Sequence, residues 1–219
     1  MKAFWELLKN EARLYAAGKG LSFALVLSLS LLALIRFGMP VDGIEAQGFE
    51  VFPIVVYCIA VLQLLLMATQ WESDGYAYRY YSMQRFSLSS LFLAKSIVSY
   101  FVQIPIWFFC FTGYFLFFPA DVPPISILIP LLATTLYLGL ALAPAGQMIA
   151  ALSQHSAQKN FLALALFLPI CLPVLIAASG RVTALLQRLD TVRYDALLFA
   201  AALIFWGVGN LLFAYLFEE

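Results

Sequence analysis

Six apolar runs, 21–37, 51–70, 91–118, 125–152, 161–179 and 196–217, are separated by short polar intervals. Each run is continuous and not alternating, which predicts spanning helices and argues against the strands of a barrel. A helix needs about 20 apolar residues to cross a hydrocarbon core of about 30 Å, so the pattern reads as about six spans in one membrane domain, 1–219. Pro105 interrupts the third run, Pro130 and Pro144 the fourth, and Pro169 and Pro173 the fifth. Each proline removes a backbone donor, so kinks are expected at Pro105, Pro144, Pro169 and Pro173.

The intervals differ in character. Residues 2–15 are amphipathic at helical spacing, with Phe4, Trp5, Leu8, Ala12 and Tyr15 on one side and Lys2, Glu6, Lys9, Asn10 and Arg13 on the other. This predicts an interfacial helix within 1–19 that buries its apolar side at the headgroup boundary; a plain solvated helix is the alternative. Segment 38–50 carries Asp42, Glu45 and Glu50 without a lysine or arginine and reads as a short acidic loop. Segment 180–195 reads as a polar interval holding a short surface helix, with Leu185, Leu186 and Leu189 beside Arg181, Arg188 and Arg193.

The longest polar interruption, 71–90, contains Glu72, Asp74, Gly75, Tyr76, Tyr78, Arg79, Tyr80, Tyr81 and Arg85. Ser73 or Asp74 can cap a helix by accepting from its first amides, and Gly75 allows close backbone approach. Tyrosines and arginines at this density suit a protein interface, because they bury large area and keep a polar tip satisfied. An aromatic belt at the membrane boundary would also enrich tyrosine. Glu72 and Lys95 flank the second and third runs, close enough to the boundary to snorkel, with an intramembrane ion pair as the sharper reading.

Composition agrees with the membrane assignment. Of the 219 residues 64% are hydrophobic and 11% charged, against about 25% charged in soluble domains. Zero formal net charge offers no electrostatic footprint for nucleic acid. With alternating spans, Lys2, Lys9, Arg13, Lys19, Arg79, Arg85, Lys95 and Lys159 fall on the side of the N terminus, against Arg36, Arg181, Arg188 and Arg193 opposite. The cationic bias predicts cytoplasmic N and C termini, and the first run is read as a retained span.

Catalytic chemistry is thinly represented. A phosphate-binding Gly-x-x-x-x-Gly-Lys-Ser/Thr loop is absent, and Gly18-Lys19-Gly20 does not approximate one, so the chain is expected to have no ATPase activity of its own. His155 lies between Gln154 and Ser156 without a nucleophile elbow or an orienting acid nearby. Cys58, Cys110 and Cys171 are widely separated inside apolar runs, which argues against a disulfide framework or a zinc site. Met39, Met148 and His155 are weak candidates for haem ligation, and no metal site is predicted.

Asp74-Gly75, an aromatic stretch and Leu93-Ala94-Lys95 together resemble the cytoplasmic segment of the haem exporter protein B family, CcmB, of the bacterial cytochrome c maturation system. Residues 139–146, ending Ala143-Pro144-Ala145-Gly146, are similar to that family's small-residue-rich fourth helix. Residues 168–176, with Pro169 and Pro173, are similar to its two-proline fifth helix. The resemblance implies an ABC-2-type permease of the bacterial inner membrane, with six spans, an N-terminal interfacial helix and a cytoplasmic coupling helix. It implies a CcmA-like ATPase partner that binds the ATP, CcmC-, CcmD- and CcmE-like haem-handling partners, and a second permease copy. ATP hydrolysis would then support haem export or release of the haem-loaded chaperone. By position, Asp74, Gly75 and Lys95 match the family motif, whereas Glu72, Tyr76, Arg79, Tyr80 and Arg85 are interface residues inferred from their chemistry. The segment from Gln154 to Lys159 departs from a more basic family pattern, which removes the expectation of a second ATPase contact there. The alternatives are a non-transporting scaffold for haem-handling proteins and a generic ABC-2 exporter permease with another substrate.

Overall fold

The computed structural model of the chain describes residues 2–17, 20–38, 52–74, 87–117, 125–153 and 158–217. These form seven helices: α1 (Lys2–Ala17), α2 (Gly20–Gly38), α3 (Phe52–Asp74), α4 (Leu88–Phe117), α5 (Ile125–Ser153), α6 (Lys159–Leu186) and α7 (Val192–Phe217). No strand occurs among the described residues. Within α2, α4, α5, α6 and α7 lie five stretches long and apolar enough to cross a membrane, and α3 contributes a shorter apolar stretch, Phe52–Met67. The chain is an all-helical, multi-pass membrane protein.

The helices pack around α5, which lies against α7, α6, α4 and α3. From Ala141 to Ala151 every residue of α5 is buried, and six of these eleven are alanine or glycine. In hydrocarbon the drive to associate comes from close van der Waals packing and not from water exclusion, so small residues that let backbones approach are favoured. Gly146 shows the geometry: a Cβ there would sit 2.1 Å from Leu65 Cδ1 of α3. At the periphery, α2 buries fully only the stripe Gly20, Ala24, Ser28 and Leu32.

Pro105 in α4, Pro130 and Pro144 in α5, and Pro169 and Pro173 in α6 each lie inside a continuous helix. Pro144 cannot donate to the carbonyl of Leu140, four residues earlier; Trp206 of α7 donates its Nε1–H to that carbonyl at 3.1 Å.

Two segments depart from the reading of the sequence. The fifth run was expected to end at 179, ahead of a separate surface helix; instead α6 continues unbroken through Gly180 and Arg181 to Leu186. It ends in a paired reverse-turn cap, with Leu189 N donating to Ala184 O (2.8 Å) and Arg188 N to Leu185 O (3.1 Å). Arg188 takes the left-handed conformation (φ 56°) that glycine usually fills at such a cap, which is why no glycine marked the boundary. The second departure is the orientation of α1. Its buried residues are Leu7, Glu11 and Tyr15, with Phe4 and Leu8 partly covered, whereas Trp5 is 71% exposed and Ala12 is also exposed. The inward face is therefore rotated from the predicted apolar side and has a carboxylate at its centre.

Candidate functional site

Glu11 sits on the inward face of α1 because Lys95 waits for it, two turns into α4. The Nζ of Lys95 lies 3.5 Å from Glu11 Oε1, with the two side chains 2% and 1% exposed. Around the pair, Leu7 of α1, Leu91, Phe92 and Ala94 of α4, Ala151 of α5 and Phe213 of α7 form an apolar cluster. Charges in such surroundings are desolvated, and losing one partner of a buried ion pair costs about 3–5 kcal/mol. One turn further along α1, Tyr15 Oη accepts from Gln147 Nε2 of α5 at 3.1 Å, both side chains buried. The N-terminal helix is thus fastened by polar contacts to the start of α4 and to the second half of α5.

Lys95 opens a buried polar stripe. Ser99, Gln103 and Trp107 follow it at intervals of four residues, the spacing that places successive side chains along one side of a helix. Gln103 Nε2 donates to Ser99 Oγ at 3.2 Å, and Tyr57 of α3 donates its hydroxyl to Gln103 Oε1 at 3.0 Å. This relay fastens α3 to α4 in the interior of the bundle, where an unpartnered amide would be expensive.

A third polar cluster lies at the opposite end of the bundle. Arg181 is buried, donates from Nε to Asp195 of α7 and from Nη1 to the Thr134 hydroxyl and, at 2.7 Å, to the Pro130 carbonyl of α5. Its guanidinium also lies 5.5 Å from the centre of the Tyr137 ring. Thr191 donates to the second oxygen of Asp195 at 3.0 Å. One cation therefore ties α5, α6 and α7 together, and the planar fork of arginine is what allows it to reach several acceptors at once.

Of the residues singled out as a docking interface, Glu72 and Asp74 lie on the last turn of α3. Gly75, Tyr76, Arg79, Tyr80 and Arg85 lie outside the described residues, as do His155 and Met39. Lys95, read at the boundary as a snorkelling group or one half of a pair, is held inside the protein against Glu11. Pro144 is buried on α5, whereas Pro105, Pro169 and Pro173 are exposed on α4 and α6. The three cysteines are free and buried, Met148 packs in the α5 interior, and among the described residues no group of three metal-ligating side chains converges.

Glu11, Arg181 and the Tyr57–Gln103 relay were not identified from sequence as parts of a site. Gln103, a lone amide deep in an apolar run, was the signal available. No protein-family model matches the chain, and no curated protein is significantly similar to it.

Proposed function

We propose that the chain is the membrane permease subunit of an ABC-2-type transporter complex in cytochrome c maturation, coupling ATP hydrolysis by a CcmA-like partner to haem export or release of a haem-loaded chaperone. In this reading the protein spans the bacterial inner membrane six times, with both termini cytoplasmic, and segment 71–90 is the coupling element. The observation that carries it is the Glu11–Lys95 pair. The amphipathic N-terminal helix is fixed by that pair to the beginning of α4, the helix whose first residue, Leu88, lies at the end of 71–90. A partner pressing on this connection would act on α4 within two turns of Lys95, and the desolvated pair would carry the displacement to α1.

Such coupling requires that two nucleotide states of the partner favour different helix arrangements. CcmC- and CcmD-like subunits would assemble on the outer helices and a CcmE-like chaperone would be the released product, with haem as substrate of the complex and ATP confined to the ATPase.

Copurification with the ATPase after detergent extraction tests the assignment. Charge reversal at Arg79 and Arg85, combined with Tyr76→Ala and Tyr80→Ala, is expected to abolish association while the permease still inserts. Unchanged association, or labelling of a Ser73→Cys variant from the external side, would overturn the docking role. An ATPase partner found without haem-handling proteins would redirect the reading to a generic ABC-2 exporter.

A further inference from the structure

Where the polar stripe of α4 reaches Trp107, the bundle wall opens into a crevice lined by Tyr57, Tyr100, Ile104, Trp107, Thr135 and Gly139, with a cavity volume of about 10 Å³. That is room for roughly one water or one hydroxyl group. Its chemistry is mixed. Trp107 is buried, and its Nε1–H has no acceptor among the described residues. Tyr57 already donates its hydroxyl proton to Gln103 Oε1, and Thr135 donates its own to Leu132 O at 2.6 Å, so both hydroxyl oxygens remain able to accept. A guest must therefore accept from an indole and donate to a hydroxyl, which a single O–H group does.

The surroundings indicate what carries that hydroxyl. At the rim, Ile104 is 37% exposed and Leu136 beside it is 46% exposed, on helices that span the membrane. A water would have to sit beneath a hydrocarbon opening, whereas an aliphatic chain would fill that opening and continue into the bilayer. The back of the crevice is kept clear by Gly139, where a Cβ would come within 3.2 Å of Tyr57 Oη, 3.4 Å of the Tyr100 ring and 3.5 Å of Gln103 Oε1.

We propose that this crevice between α3, α4 and α5 binds the hydroxyl headgroup of a membrane-dissolved long-chain alcohol, entering laterally from the bilayer. The site stands apart from the coupling segment and does not rest on the transport reading. Its position beside the Tyr57–Gln103–Ser99 relay means that an occupant adds a polar link to the network joining α3 and α4.

The test uses the full-length protein in phosphatidylcholine nanodiscs, photolabelled with a hexadecanol analogue that carries a diazirine in its chain. Labelling is expected on the α4 and α5 peptides that hold Ile104 and Leu136, competed by hexadecanol and not by hexadecane. Trp107→Phe, which keeps a ring and removes the donor, is expected to weaken competition about tenfold, the effect of losing one hydrogen bond to a buried group. Gly139→Ala is expected to reduce labelling by filling the back wall. Should Trp107→Phe fail to fold, Thr135→Val removes an acceptor with little change of shape. Equal competition by hexadecane, labelling unaffected by all three substitutions, or an ordered water with no labelling would each overturn the proposal.

Discussion

The indole N–H of Trp206 donates to the carbonyl of Leu140 at 3.1 Å, and that carbonyl is the one Pro144 leaves without its helical donor. A neighbouring helix thus supplies the bond that the proline removes, in surroundings where no bulk water could.

Trp206→Phe is expected to destabilise the protein by about 1–3 kcal/mol, the cost of leaving a part-buried carbonyl unsatisfied together with some lost packing. In a Pro144→Ala background the backbone donor returns, so the same substitution should cost about 1 kcal/mol less. Unfolding titrations of the four variants in mixed micelles measure this difference. Equal costs in both backgrounds would show that Trp206 acts through packing alone.

The Glu11–Lys95 pair predicts a different pattern. Glu11→Gln and Lys95→Met should each cost about 3–5 kcal/mol, and the Glu11→Leu, Lys95→Met double variant should recover much of the loss, because the two buried charges are then removed together. The local readout is a cysteine at Leu7, a position buried against α4. Maleimide should label Leu7→Cys faster in the Glu11→Gln protein than in the Glu11 parent and slowly again in the double variant. Protection unchanged across the series would mean that α1 is held by its apolar contacts.

At the other end, Arg181→Lys keeps the charge and loses the fork. Since lysine cannot reach Asp195, Thr134 and the Pro130 carbonyl together, a loss of about 2–4 kcal/mol is expected, close to that of Arg181→Met. Asp195→Asn should cost less, because that side chain is 32% exposed and Thr191 remains as its partner. Thermal unfolding in detergent ranks the three; a lysine variant as stable as the parent would rule out the multidentate role.

Five of the spans were legible because hydrophobicity accumulates over twenty residues and tolerates local exceptions. The exceptions are where the reading stopped short. Arg181 looked like the end of a span because its partners, Thr134 and Asp195, are 47 and 14 residues away in sequence. Glu11 looked peripheral for the same reason: a charge appears external until its counter-charge, here on a helix that begins only at Leu88, is placed beside it. The rotation of α1 follows directly, since periodicity sorts apolar from polar residues and has no means of sorting paired from solvated ones. The α6 boundary was displaced because its cap uses Arg188 where a glycine would have announced the end.

The buried half of α5 has a mechanical consequence. From Ala141 to Ala151 the helix has no outward side, so it cannot turn or slide without unpacking several neighbours at once. It is the stator of the bundle, and any large motion belongs to helices with a free flank, such as α2 and α7. Changes in bilayer thickness or lipid composition press on the outer helices directly and reach the buried half of α5, 141–151, only through its neighbours.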